Sequence, residues 1–178
     1  GIGDEAVSVE QPCRAEMGLA GTDDFSIKVS SDGSAWINAM VIAQATGVVA
    51  LPAGATISGA VPYTRGNLLG AVSQAAGTPT GAVIQRGSGA NGEFVRFADG
   101  TLICTHSLTA SATAAVTWTY PSAFIAVPAV TGTAQAAVLS CVMLDAAPST
   151  TAATLSARDK ADARRADVVR LTAIGRWF

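Results

Sequence analysis

From Gly81 to Phe178 no apolar alternation runs further than about ten residues before Gly, Pro, Asn, Asp or Ser interrupts it, and this rhythm constrains the fold more than any other feature. A buried helix needs a longer stretch at a 3.6-residue period. Strand-like segments fall instead at residues 81–86, 93–98, 101–108, 113–120, 127–135, 137–145, 151–158 and 167–177. Asn91-Gly92 and Asp99-Gly100 are hairpin-type pairs between them. Eight short strands spaced this way predict an antiparallel sandwich or barrel. Residues 161–169 alone offer an alternative, one turn of helix.

Upstream the same period appears in a hairpin over residues 24–43. Phe25, Ile27 and Val29 share a face, Asp32-Gly33 turns the chain, and Trp36 begins the return. A shorter unit at 47–51 ends at Pro52. Residues 60–80 carry Gly, Pro and Asn punctuation and read as a connector holding one or two turns of helix or another strand. The expectation is an all-β chain: a β-hairpin stalk segment over 1–59, a connector over 60–80 and a β-sandwich head over 81–178. No fixed-period tandem repeat is present.

What fills these strands is unusual. Of 178 residues, 36 are Ala, 18 Gly, 18 Thr and 14 Ser, and only 13% are charged. A chain with few Lys or Glu to solvate its faces is expected to share much of its surface with other chains, so oligomerisation follows from composition. The balance of 11 Lys+Arg against 13 Asp+Glu, with no basic run longer than Arg164-Arg165, supplies no phosphate-binding patch and argues against nucleic acid. No run of 18 apolar residues occurs, and the first ten residues lack a basic then apolar leader, so neither a membrane span nor a signal peptide is expected, and the chain reads as soluble. Cys13, Cys104 and Cys141 are widely spaced without a CxxC pair and read as free, mostly buried thiols made in a reducing compartment.

Few motifs bear chemistry. Gly87-Ser88-Gly89-Ala90-Asn91-Gly92 spells GxGxxG, but that fingerprint needs a helix to begin there, and residues 93–98 alternate as a strand. A glycine-rich loop between strands is the reading. His106 is the single histidine, set in a strand, so two-histidine zinc sites are excluded and no metal or other cofactor is expected. It is kept as a residue that contacts a ligand; no GxSxG elbow supports a serine triad. Asp23 and Asp24 are adjacent, and adjacent strand side chains point to opposite faces. Arg158-Asp159-Lys160-Ala161-Asp162-Ala163-Arg164-Arg165 is a charged segment in uncharged surroundings: a solvated loop, a binding loop, or a set of salt bridges across chains. Among the aromatics, Trp118 and Tyr120 share a strand face, Phe124 follows in a turn, and Trp177-Phe178 close the chain; core packing is expected for Trp118 and Phe124.

Two stretches carry a resemblance. Residues 14–21, 23–30 and 32–36 (RAEMGLAG, DDFSIKVS, DGSAW) resemble the end of a domain of unknown function in tail-fibre proteins of bacteriophages, prophages and gene transfer agents, over roughly 13–54. The rest of that domain is not represented in residues 1–12, which implies a C-terminal piece of a longer fibre. The stretch from Thr78 looks like the start of the fibre heads that follow such domains. Residues 118–130 (WTYPSAFIAVPAV) and 168–175 (VVRLTAIG) are similar to the aromatic, Pro, Phe, Pro, Val rhythm and final strand of H-type lectins, over about 100–178. Those lectins are six-stranded antiparallel sandwiches that trimerise and bind sugars near subunit interfaces. The resemblance places sugar contacts near Arg158, Asp159, Lys160 and Asp162, while a tryptophan common in that part of the pattern is missing here.

With Arg164, Arg165 and His106 these residues form the candidate ligand-binding set, and none is assigned a catalytic role. The implied function is a non-enzymatic receptor-binding tip of a phage-like tail fibre or spike, a homotrimer attaching to bacterial surface polysaccharide such as capsule or lipopolysaccharide. It would be joined to the rest of the fibre upstream, assembled in the bacterial cytoplasm and carried on the virion, without membrane insertion. The alternatives are a purely structural trimerisation tip, or a polysaccharide depolymerase working through carboxylates such as Asp159 and Asp162.

Overall fold

The computed structural model describes residues 15–19 and 22–178. Every described element is a strand, so among the described residues there is no helix long and apolar enough to cross a membrane. The chain divides into two compact units, Gly1–Pro62 and Tyr63–Phe178.

The first unit is one antiparallel sheet of four strands in chain order: β1 (Ala15–Gly18), β2 (Phe25–Val29), β3 (Ile37–Ile42) and β4 (Val49–Ala50). The Asp32-Gly33 turn is present. Asp32 Oδ1 accepts from the amides of Ser34 at 2.8 Å and Ala35 at 2.9 Å, and Gly33 takes the positive φ of 83°. The return strand begins at Ile37 rather than Trp36 because this side-chain cap extends the turn to Ala35. Strand β3 is out of phase with itself. Ile37 pairs with Val29 and Asn38 with Lys28, then Ala39 is skipped and Met40 pairs with Ile27 and Ile42 with Phe25. The bulge rotates the second half of β3 by one residue, which sets Ile37, Met40 and Ile42 on one face although strict alternation would divide them. Met17, opposite Ile27, and Val49, opposite Ile42, join that face. The other face carries Ser26, Asn38 and the Lys28–Glu16 ion pair at 3.4 Å.

The second unit opens with a short hairpin, β5 (Gln74–Ala75) and β6 (Thr78–Pro79), inside the stretch read as a connector. That stretch makes no helix. The amides of Val83 and Ile84 both donate to the Leu68 carbonyl, each at 3.1 Å. The remaining strands are β7 (Ile84–Gly89), β8 (Gly92–Phe97), β9 (Thr101–Thr109), β10 (Val116–Thr119), β11 (Ala129–Gln135), β12 (Cys141–Leu144), β13 (Ala152–Arg158), β14 (Arg164–Arg165) and β15 (Val168–Arg176). They form a five-stranded sheet, β11-β15-β9-β8-β7, and a second sheet, β10-β13-β12, with β14 paired to β13. Alternation buries one face of each. Leu102 and Cys104 of β9 and Val169, Leu171 and Ala173 of β15 meet Trp118 of β10 and Ala153, Leu155 and Ala157 of β13. Small residues on β13 and β15 leave room for the Trp118, Tyr120 and Phe124 rings, which stack edge to face at 4.9 and 5.2 Å. The all-β expectation agrees with this architecture and each of the eight expected strands downstream of Gly81 overlaps an observed one, but the first is displaced: β7 begins at Ile84 and takes in Gly87-Ser88-Gly89, read as loop, which pair with Phe94, Glu93 and Gly92. The possible helical turn at 161–169 is instead β14 and the start of β15.

Two details differ from the sequence reading. Ala90 and Asn91 turn the β7–β8 hairpin, with Gly89 opposite Gly92, so Gly92 opens a strand rather than completing the turn. Its place is steric: φ is 109°, and an added Cβ would strike the Thr105 carbonyl. Of the cysteines expected to be mostly buried, Cys104 is buried and Cys141 is exposed, because Cys141 opens β12 where that strand borders solvent; Cys13 lies outside the described residues.

Candidate ligand-binding site

The charged segment becomes the hairpin between β13 and β14, with residues 159–163 as its loop. Register sets Arg158 directly opposite Arg164 and Ala157 opposite Arg165. Two guanidinium groups face to face repel. The structure resolves this with a carboxylate that the sequence reading did not include: Asp145, just past β12. Its Oδ1 accepts from Arg158 Nη2 at 2.8 Å and from Arg164 Nη2 at 3.0 Å, and its Oδ2 accepts from Arg164 Nη1 at 3.3 Å. Only 14% of the Asp145 side chain is accessible. Desolvation pushes its carboxyl up, but hydrogen bonds from Ser156, Arg158 and Arg164, with the Arg164 charge, outweigh that and hold it at about 2.

Arg158 is also committed within its own hairpin. Nε donates to Ser156 Oγ at 3.0 Å, and Nη1 donates to both the Asp162 carbonyl and the Asp162 Oδ1 at 3.1 Å. With the Asp145 bond this makes four hydrogen bonds from a group with five N–H donors. The loop closes on Asp159, whose Oδ1 accepts from the amides of Ala161 at 2.8 Å and Ala163 at 3.0 Å. Asp162 holds the left-handed φ of 63°, a conformation that Asp tolerates better than most residues. Its carboxylate stays 79% exposed despite the Arg158 contact, and Lys160 is exposed at the tip. Arg165 makes a two-point ion pair with Asp167, at 2.6 and 3.2 Å, and the Asp159 charge acts on it as well.

The structure therefore gathers Arg158 and Arg164 on Asp145, adds Asp162 through Arg158, turns Asp159 onto its own loop amides, leaves Lys160 in solvent, and pairs Arg165 with Asp167. His106 belongs to another neighbourhood. On the half-buried end of β9 its ring stacks on Trp118 with centroids 6.2 Å apart. Trp118 Nε1 in turn donates to the Asn91 carbonyl at 2.9 Å. His106 also lines, with Glu93, Arg170 and Thr172, a shallow depression of about 490 Å³. Asp145 had a signal in the sequence: it is the single Asp, Glu, Lys or Arg between Asp99 and Arg158. No group of three or more His, Cys, Asp and Glu spaced for a metal ion occurs among the described residues.

The chain matches no family model and no curated protein. Among solved structures it is similar to a C-terminal fragment of the R2 pyocin fibre of P. aeruginosa, at 14% identity and a TM-score of 0.42, over 91% of this chain and 56% of that one. An N-truncated R2-type pyocin tail fibre is similar at 15% identity and a TM-score of 0.41, over 91% of this chain and 81% of that one. The chain thus spans little more than half the length of the first of these.

Proposed function

We propose that the chain is the receptor-binding tip of a phage-like tail fibre or spike, a homotrimer on the virion that attaches to bacterial surface polysaccharide without cleaving it. In this reading residues 1–59 are the end of the stalk, 60–80 the connector and 81–178 a lectin-like head. The observation that carries it is the self-supporting charged loop of residues 159–163. Its backbone is fixed by Asp159 and Arg158, and it offers the Lys160 ammonium and the Asp162 carboxylate to solvent. A loop already ordered loses little entropy on binding, and mixed charge suits the hydroxyl, amino and acidic groups of surface glycans. Three weak sites on one particle would add through avidity. The resemblance of residues 13–54 to tail-fibre domains and of 100–178 to H-type lectins points the same way.

The wiring of the loop also bears on the depolymerase alternative. Glycoside hydrolysis requires two carboxyl groups free to face a sugar. Asp159 is turned onto its own loop amides and Asp162 shares its charge with Arg158, which supports binding over cleavage. A ligand-free structural tip is the second reading, favoured by the commitment of Arg158 and Arg164 to Asp145.

The test is retention of the chain on bacterial cells with and without capsule or lipopolysaccharide, alongside a glycan array, using wild type and a Lys160→Ala, Asp162→Ala double variant. Binding that depends on the polysaccharide and drops at least ~10-fold in the variant supports the proposal. Silence of both proteins on every surface favours the structural tip, and release of reducing sugar would replace the binder with an enzyme.

A further inference from the structure

The described residues of the first unit lack the buried apolar side chains that a stable sheet requires. Among its described residues only Ser26 and Ser30 are buried, and both are polar. The apolar side chains instead share the face assembled by the β3 bulge, where Phe25, Val29, Ile37, Val49 and Met17 are 37% to 72% exposed. A sheet with one apolar face must cover it, since a single uncovered layer has no core. The phase shift at Ala39 makes that face bulkier: strict alternation would set Ala39 and Val41 beside Ile37, whereas the bulge sets Met40 and Ile42 there, opposite Ile27 and Phe25.

We infer that this face packs against the same face of other copies of the chain, forming the subunit interface of the stalk. The inference rests on the oligomeric part of the proposed function and names its surface. Three considerations select another copy as the occupant. The described residues of this unit supply no apolar core, so the sheet needs its partner whenever it is folded, and a second copy is present wherever the chain is made. The described positions of the face carry no charge, so identical faces meet without like-charge repulsion, while Lys28 and Glu16 are kept on the opposite face. The five exposed side chains present on the order of 500 Å² per copy, so two faces together reach the ~1,000 Å² at which specific interfaces begin.

The experiment is light scattering on the full chain at micromolar concentration and through a dilution series, for wild type, Ile37→Asp and Asn38→Asp. Ile37 and Asn38 are neighbours on β3 that face opposite ways, so the pair separates face from strand. Expected are a multiple-chain mass for wild type and Asn38→Asp, and for Ile37→Asp the mass of one chain or a dissociation midpoint at least ~100-fold higher, because a carboxylate would be buried unpaired. Near-UV circular dichroism of the buried Trp118 checks in the same samples that the second unit is folded. If Ile37→Asp also loses that signal, the milder Val49→Thr takes its place, with a raised midpoint supporting the interface and an unchanged one refuting it. Wild type at the mass of one chain, or Ile37→Asp at the wild-type mass, overturns the inference; the first result would assign the face to a different protein. A two-chain mass keeps the interface and removes the trimer. Polysaccharide enters none of these readouts, so a failed glycan assay leaves the result standing.

Discussion

Across a separation of 13 residues, Arg158 Nη2 donates to Asp145 Oδ1 at 2.8 Å. Since β13 and β14 also set Arg164 opposite Arg158, this one carboxylate is what allows two guanidinium groups to occupy adjacent strands. Strand β14 is thereby tied to the end of β12, a strand it does not pair with.

The tie depends on pH. The Asp145 carboxyl lies at about 2, below its ordinary 3.8, so its contribution to stability is complete above about pH 4 and is lost as pH falls towards 2. Asp32, Asp99 and Asp167 are also lowered, each by hydrogen bonds it accepts, so the wild-type melting temperature will fall in acid for several reasons. The Asp145 share is the difference from Asp145→Asn. Thermal melts at pH 7, 4, 3 and 2.5 will show the two proteins converging as the pH drops, and curves that stay parallel would refute the assignment.

Gly92 and Gly89 face each other across the β7–β8 hairpin but differ in what a methyl group would meet. A Cβ added at Gly92 would meet the Thr105 carbonyl at a positive φ, whereas at Gly89 nothing lies within 4 Å. Gly92→Ala will destabilise the second unit by about 2 kcal/mol or more, and Gly89→Ala by no more than about 0.5 kcal/mol. Urea unfolding followed by tryptophan fluorescence decides it; equal midpoints for the two variants would contradict this account.

The two described thiols should react at very different rates. Burial pushes the Cys104 thiol up to about 11, and its Sγ donates to the Ser122 carbonyl at 3.6 Å, while Cys141 is exposed. At pH 8 about a thousandth of Cys104 is thiolate, and the sandwich covers it. In a Cys13→Ser background, Ellman's reagent will titrate one thiol per chain quickly and the second only after denaturation. Two fast thiols would show that the core opens readily.

Asp159 is expected to act on the loop alone. Asp159→Ala removes the acceptor for the Ala161 and Ala163 amides without touching the core. Hydrogen exchange at those two amides will accelerate by at least ~10-fold, while exchange at Leu155 and Leu171 stays unchanged. Unaltered protection at 161 and 163 would mean that the loop is held by other contacts.

The strands downstream of Gly81 were legible because alternation and turn residues there agree at every step. Strands β5 and β14 were not, since two residues carry no period, and β1 is four residues ending in Gly18, too short to show one. In β3 the run INAMVI reads as apolar on both faces until pairing shows that Ala39 is skipped. The candidate loop stood out by charge contrast. Its wiring did not, because the partnership of Asp145 with Arg158 and Arg164 follows from the order β12-β13-β14 and not from proximity in the chain. The isolation of Asp145 between Asp99 and Arg158 was the one clue the sequence held.

The side chains that hold the 159–163 loop in shape are those of Asp145, Ser156, Arg158, Asp159, Asp162 and Arg164, while Lys160 and Ala161 at its tip are exposed. Frame and message are thus written in different letters. Substitutions at 160 and 161 can accumulate without refolding the hairpin, so a lineage under pressure to recognise a changed surface has two positions to vary at little structural risk, and an engineer redirecting the tip has the same two.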